Sequence, residues 1–356
     1  MKAFSFFALV AGLILANVSR AQSTSFWLSQ IRPIDDAVLV QGPRDGYARL
    51  IQLIDQAKSS IKMSIYHLSD SGVVDALIRA QARKVSVEVI LDNSSLSKPR
   101  YEAIRQQLQA ANIQVSPSST GFTLSHSKVM VVDQSLVYLS SQNFVGHSSD
   151  MRGFAILTAD KDIVKELTQV FQADLENAKN KTALTPTLHE ANLLWSPANS
   201  EQKLVDLIQS AKISIEATSE NLGPDTEVLK ALAQASARGV VVRILTPECD
   251  LNPNPLFNLP QMALLEKAGV QAHLMPHPST PEVPYMHAKT MIVDRQVVFI
   301  GSENFSINSL RLAREVGMVL SNSLVCSQME EVFDHDWKVS VSLSPTPPVC
   351  PAPNFL

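Results

Sequence analysis

One pattern of chemically capable side chains occurs twice in this chain. His126, Lys128, Asp133 and Asn143 lie in LSHSKVMVVDQSLVYLSSQNF, and His287, Lys289, Asp294 and Asn304 lie in YMHAKTMIVDRQVVFIGSENF. The offset is constant, 287 − 126 = 161 and 304 − 143 = 161. An imidazole beside an ammonium, with an amide and the hydroxyls of Ser141 and Ser302 nearby, suits an anion with several oxygens, and phosphate is the commonest such group. Histidine adds a nucleophile or proton donor that titrates near neutrality. Displacing an alcohol from a phosphodiester calls for one group to attack phosphorus and another to protonate the departing oxygen. Two units packed face to face about a pseudo-twofold axis supply a histidine for each task. They also supply two lysines and two asparagines for the non-bridging oxygens. Keeping these polar groups on two strands for packing alone would be costly.

The elements that must position them repeat as well. Pro43, Leu50, Ile54, Lys58, Ile61 and Leu91 pair with Pro197, Leu204, Ile208, Lys212, Ile215 and Leu245, all at an offset of 197 − 43 = 154. Such a period marks a domain duplication, not a solenoid. Each half predicts a helix (47–57; 202–211), a β-branched strand, a second helix (73–83; 226–238), a strand ending at Leu91 or Leu245, a third helix (101–111; 261–267) and then the motif. Strands alternating with helices imply an α/β fold. Within the motif, His287 and Lys289 are expected on one face of a strand, since strand side chains repeat every two residues. Amphipathic helices around 164–175 and 329–337 close the halves, their apolar stripes serving packing. The domains are therefore read as 22–180 and 194–343, joined by a linker at 181–193 and followed by a Pro-rich, unstructured tail at 344–356. Longer Pro/Asn-rich loops in the second copy widen the offset from 154 to 161 and are of the kind that carry specificity.

A length of 356 residues agrees with two domains, each large enough for its own core. Residues 1–21 resemble a secretory signal, with Lys2, an apolar run from Ala3 to Ala16, and small residues at Ser19 and Ala21. The alternative is an uncleaved anchor, but the run is shorter than the roughly 20 residues a span needs. A secreted or periplasmic protein without a transmembrane segment in its mature form is expected. Removing 1–21 takes Lys2 and Arg20 from the 30 basic residues and leaves 28 against 34 acidic, a net charge of −6. No general basic surface of the kind nucleic-acid binders carry is advertised. Of Cys249, Cys326 and Cys350, two can pair in an oxidising compartment, and the sequence does not choose the pair. No two of them have a metal-ligand spacing.

The pattern H-x-K-x4-D-x6-G-S-x-N, complete at 287–304 and with Ser140 for glycine at 126–143, resembles the HKD signature of the phospholipase D superfamily. With the repeated lead-in, the likeness to two-motif members spans nearly the whole mature chain. It implies two homologous α/β sandwich domains with the active site at their interface. It further implies that His126 forms a phosphohistidine, that His287 protonates the leaving alcohol and activates water, and that Lys128, Lys289, Asn143 and Asn304 bind phosphate oxygens. Asp133 and Asp294 would support the motif's turn. Neither metal nor cofactor is required by that chemistry.

Other residues invite weaker readings. Glu315, in REVGMVL, offers a carboxylate to orient a histidine, and Asp150 is the candidate substitute in the first copy. His67 and Glu220, read as occupying corresponding places, are either exposed loop residues or contacts at the site's edge. His147, His189, His273, His277 and His335 are taken as surface or core residues. Three functions compete: a phospholipase D releasing phospholipid head groups at a membrane surface, a nuclease or phosphatidyl transferase of the same superfamily, and a catalytically dead binding protein. Intact histidines and lysines in both copies oppose the last. A monomer is expected.

Overall fold

The computed structural model describes residues 27–146, 151–251, 254 and 256–350. The expected signal at 1–21, His147, Asp150 and the end of the Pro-rich tail lie outside the described residues.

In the N-terminal half, β1 (Val38–Gly42), α1 (Ala48–Gln56), β2 (Ser60–Ile65), α2 (Ser71–Ala82), β3 (Ser86–Leu91), α3 (Pro99–Ala110) and β4 (Gln114–Pro117) precede three antiparallel strands. These are β5 (Lys128–Val132), β6 (Leu136–Ser140) and β7 (Met151–Thr158), and α4 (Lys161–Asn180) closes the half. The C-terminal half repeats the plan: β8 (Leu193–Ser196), α5 (Ser200–Ser210), β9 (Ser214–Thr218), α6 (Glu227–Ala237), β10 (Val241–Pro247), α7 (Leu259–Lys267) and β11 (Gln271–Met275). A short crossing strand β12 (Tyr285–Met286) then leads to β13 (Thr290–Val293), β14 (Val297–Gly301), β15 (Glu315–Leu320), α8 (Ser323–Val339) and β16 (Val341–Ser342).

The sheet orders show the duplication directly. One sheet runs β1-β7-β6-β5-β2-β3-β4, and the other runs β8-β15-β14-β13-β9-β10-β11 with β16 added at the edge. In each, three strands are parallel where helices cross over, and the hairpin strands are antiparallel. Capping sets the helix starts. Asp70 accepts from Val73 N and begins α2 two residues before the apolar pattern suggests, and Thr226 does the same for Leu229 N in α6.

Three main cores result. α1 to α3 cover the outer face of the first sheet, and α5 to α7 cover that of the second. The third core is shared: Val129, Leu139 and Ile156 of one sheet, Ile292, Ile300 and Met318 of the other, and the apolar stripes of α4 and α8 meet in one cluster. Burial of both sheets in a common core holds the motifs opposite each other. A buried Arg152–Asp336 pair at 2.7 Å also joins the halves.

The connections are more ordered than their composition suggests. The 181–193 linker is strapped down: Glu166 accepts from the amides of His189 and Glu190, Asn192 Nδ2 donates to Arg32 O and Val319 O, and Leu193 already belongs to β8. Trp27, Leu28 and Ile31 pack on the core of the C-terminal half, so the chain's beginning crosses to the other domain. The Pro-rich tail is not wholly free, because Cys350 forms a disulfide with Cys249 while Cys326 stays reduced and buried.

Candidate active site

The aspartates explain how the motif is held. Asp133 and Gln134 have φ of 51° and 52°, and Asp294 and Arg295 have φ of 51° and 58°, so each pair makes a tight turn between two strands. Asp133 accepts from the backbone amides of Lys58, Ser59 and Ser60 and from Ser59 Oγ. Asp294 accepts from Lys212, Ile213 and Ser214. Both therefore tie the motif hairpin to the turn before the first parallel strand. Partial burial pushes the Asp133 carboxyl up, but the amide donors of Ser60, Ser59 and Lys58 outweigh it and its pKa is lowered.

The histidines do not lie on the motif strands as periodicity suggests. β5 opens at Lys128 and β13 at Thr290. Instead, His126 N donates to Arg314 O and His287 N to Arg152 O, each across to the opposite half. The histidine backbone is thus satisfied by the partner domain, which presents both imidazoles at the interface.

The two histidines are wired differently. His126 Nδ1 lies 2.8 Å from Glu315 Oε2 and 3.2 Å from Ser302 O, both from the C-terminal half. Glu315 is in turn held by Ser309 Oγ through Oε1. Burial lowers the His126 pKa, Glu315 opposes this, and Lys128 adds to it. In the sheet register Ser140 pairs with Ala155 and Gly301 with Gly317, so Gly153 occupies the place of Glu315. A Cβ there would lie 2.0 Å from Gln142 Cγ, so Gln142 fills the space a carboxylate would need. Asp150 lies outside the described residues.

His287 meets a carboxylate from its own half instead. Glu220 Oε2 lies 3.4 Å from His287 Nε2 and 2.8 Å from Lys289 Nζ, while Oε1 accepts from Tyr285 OH at 3.0 Å. Burial alone would push the Glu220 carboxyl up, yet His287 and Lys289 hold it below its ordinary value. Burial also drives the His287 pKa well down, against the pull of Glu220. The exposed-loop reading of Glu220 is thereby corrected. Its counterpart at an offset of 220 − 66 = 154 is Tyr66 and not His67.

His67, in the loop after β2, is likewise not an exposed residue. It is stacked between Tyr66 at 3.9 Å and Tyr101 at 4.4 Å between ring centroids. Its buried Nε2 has no hydrogen-bond partner. Desolvation, with Lys128 and Lys98 nearby, pushes its pKa down to about 2, so it stays neutral. Tyr66 also meets the edge of His126 at 4.7 Å and lies under Lys128 Nζ at 5.4 Å.

Lys128 and Lys289 are fully buried, and each donates to the carbonyl of its own motif histidine. Burial lowers the Lys128 pKa strongly, against Glu315. Asn304 accepts from Asn221 N through Oδ1, and Asn143 Oδ1 is buried without a hydrogen-bond partner. Ser141 and Ser302, expected on the phosphate, have other partners: Ser141 Oγ accepts from Phe154 N, and Ser302 Oγ accepts from Val316 N. They lock strand ends. His273 stacks on Trp337, remote from this cluster.

A cavity of about 430 Å³ opens at His126 and Asn304, walled by Tyr66, Leu124, Phe257 and Ile307 together with Ser309 and Glu315, and among the described residues no lysine or arginine lines it. Sequence reasoning missed Tyr66, Tyr285 and Glu303. Tyr66 carried a signal, since it aligns with Glu220 in the repeat.

The comparisons agree with this architecture. The family described as "Cardiolipin synthase, PLD-like domain" matches residues 50–175 and 204–337. The chain is 24% identical over 342 residues to a cardiolipin synthase of Clostridium perfringens, covering 84% of this chain and 69% of the relative. It is 25% identical over 366 residues to phospholipase D Z of Dictyostelium discoideum, covering 83% and 85%. The fold resembles phosphatidylserine synthase of Haemophilus influenzae with a TM-score of 0.73 at 13% identity, over 91% of this chain and 92% of that one.

Proposed function

We propose, on the premise that this chain belongs to the family of cardiolipin synthase, PLD-like domains, that it breaks the head-group phosphodiester of phospholipids and releases phosphatidic acid, or passes the phosphatidyl group to another alcohol. The observation that carries the lipid reading is the cavity at His126, where Tyr66, Leu124, Phe257 and Ile307 stand beside asparagine and serine side chains and Glu315, and where no described lysine or arginine supplies the cations that a nucleic-acid backbone requires. The names of the relatives support it.

With Nδ1 committed to Glu315, His126 has Nε2 left for attack on phosphorus. A P–N bond forms as the P–O bond to the head group breaks, and the leaving alkoxide takes a proton from His287 Nε2, whose charged form Glu220 stabilises. Water or an alcohol then attacks phosphorus, gives its proton to His287 and releases His126. Lys128, Lys289, Asn143 and Asn304 supply the donors for the non-bridging oxygens. None of these steps routes through a metal.

A secreted or periplasmic setting is part of the proposal. The Cys249–Cys350 disulfide supports an oxidising compartment. No helix among the described residues is long and apolar enough to cross a membrane.

The test is head-group release from mixed phospholipid vesicles, beside cleavage of single-stranded DNA, in excess EDTA, by wild type, His126→Asn and His287→Asn. Lipid turnover that survives EDTA and is lost in both variants is expected. DNA cleavage with intact lipid would move the protein to nuclease chemistry. An alcohol added to the vesicles separates transfer from hydrolysis.

A further inference from the structure

The pseudo-twofold axis relates the two histidines but not the groups around them. At the repeat offsets, Tyr66 corresponds to Glu220 (220 − 66 = 154) and Leu124 to Tyr285 (285 − 124 = 161). Beside His126 the pair is therefore an aromatic ring and an aliphatic side chain, both lining the 430 Å³ cavity. Beside His287 the same two positions carry a carboxylate and a phenol, hydrogen-bonded to each other at 3.0 Å. Each histidine has its own carboxylate, Glu315 at Nδ1 of His126 and Glu220, paired with Lys289, at Nε2 of His287, and the two sites differ in the side chains that flank them.

In-line displacement puts the attacking and leaving atoms on opposite sides of phosphorus. If His126 attacks, the leaving oxygen faces His287, and whatever is bonded to that oxygen enters the neighbourhood of Glu220. The Glu220 side chain is 14% exposed, and its Oε2 lies beside His287 Nε2, the atom that would protonate the leaving oxygen. Among the described residues it is the carboxylate paired with His287 Nε2, at 3.4 Å. A buried carboxylate attracts an ammonium and accepts from hydroxyls, and it repels a second anion.

We propose that Glu220 selects the alcohol that leaves and the alcohol or water that enters, admitting groups that carry an ammonium or hydroxyls and rejecting groups that carry a further phosphate. The assignment rests on the phosphodiesterase reading above, and deepens it by naming the chemistry of the departing half of the substrate. The apolar half stays on phosphorus on the side of Tyr66 and Leu124. Discrimination of this kind works through the repulsive element as much as the attractive one.

The experiment measures kcat/KM for head-group release in mixed micelles at fixed surface fraction, from phosphatidylethanolamine, phosphatidylglycerol and phosphatidylglycerol phosphate, by wild type, Glu220→Gln and Glu220→Asp. Wild type is expected to favour the first two over the third. Glu220→Gln lowers all rates, because His287 and Lys289 lose a partner, but it also reduces that ratio by roughly tenfold or more, and Glu220→Asp restores most of it. A merely structural role would scale all three substrates together, and a ratio within about threefold of wild type in Glu220→Gln overturns the proposal. Where Glu220→Gln turns over too slowly to measure, the same ratio is read from equilibrium binding of glycerophosphoethanolamine and glycerol bisphosphate in a His126→Asn background, with and without Glu220→Gln. If wild type releases no head group from any of the three lipids, the phosphodiesterase reading itself fails and this assignment falls with it.

Discussion

Glu315, the first residue of β15 in the C-terminal half, binds Nδ1 of His126 in the N-terminal half at 2.8 Å. The histidine proposed as nucleophile is thus held by a carboxylate of the other repeat, and Gly153 leaves the reciprocal contact unmade. This broken symmetry gives different partners to two histidines that the motif presents as equals, and the proposed division of tasks rests on it.

Glu315→Gln should lower kcat about a hundredfold, within the range of acid–base and positioning effects, with little change in KM. A carboxylate that only filled space would be replaced by the amide without loss. Steady-state kinetics, with a pH profile whose limb for the attacking imidazole shifts, distinguishes the two.

Asp133→Ala removes the acceptor for three backbone amides and a serine hydroxyl, and Asp294→Ala removes the equivalent for three amides. Each should destabilise the protein by about 1–3 kcal/mol in urea unfolding. Turnover per folded molecule should stay near wild type. A loss of kcat without a loss of stability would place these aspartates in the chemistry instead.

Glu303 is fully buried, bonded through Oε1 to Ser200 Oγ, and its Oε2 has no hydrogen-bond partner. Burial, with Glu315 nearby, pushes its pKa from 4.5 up to about 8. The folded state therefore keeps a proton that the unfolded chain releases. Its contribution is fully present below about pH 4.5, declines as pH rises towards 8, and is lost beyond it, for a total on the order of 5 kcal/mol. Glu303→Gln, which installs the type of residue present at Gln142 in the first repeat, should flatten the fall in unfolding free energy between pH 5 and roughly 8. An unchanged slope would show that another group carries it.

The Cys249–Cys350 disulfide closes a sequence separation of 101 residues and tethers the tail to the loop bearing Asn258, which in turn donates to Glu220 O and accepts from Leu222 N. Reduction or Cys350→Ser should cost about 2–4 kcal/mol of stability. Native protein should show no thiol reactive towards a bulky reagent until it unfolds, because Cys326 is only 1% exposed. Rapid labelling of the native state would contradict the pairing.

Much of this protein was determined by sequence alone. The doubled H-x-K-x4-D pattern, the helix and strand order and the duplication are local or periodic features. Burial of one face every two or every 3.6 residues writes them into the chain. The turn-supporting role of Asp133 and Asp294 was implied by the resemblance of the motif. Tertiary structure decided which side chains meet across segments. His67 reads as an exposed loop residue because nothing local announces Tyr101 stacking over it, 34 positions away (101 − 67). Glu315 reached His126 because two sheets share one core, whereas Glu220 reached Lys289 through the pairing of neighbouring strands in one sheet and Cys350 found Cys249 through the return of the tail to its own half. Periodicity fixes the face on which a residue lies, but the partner on that face is set by how two whole domains pack.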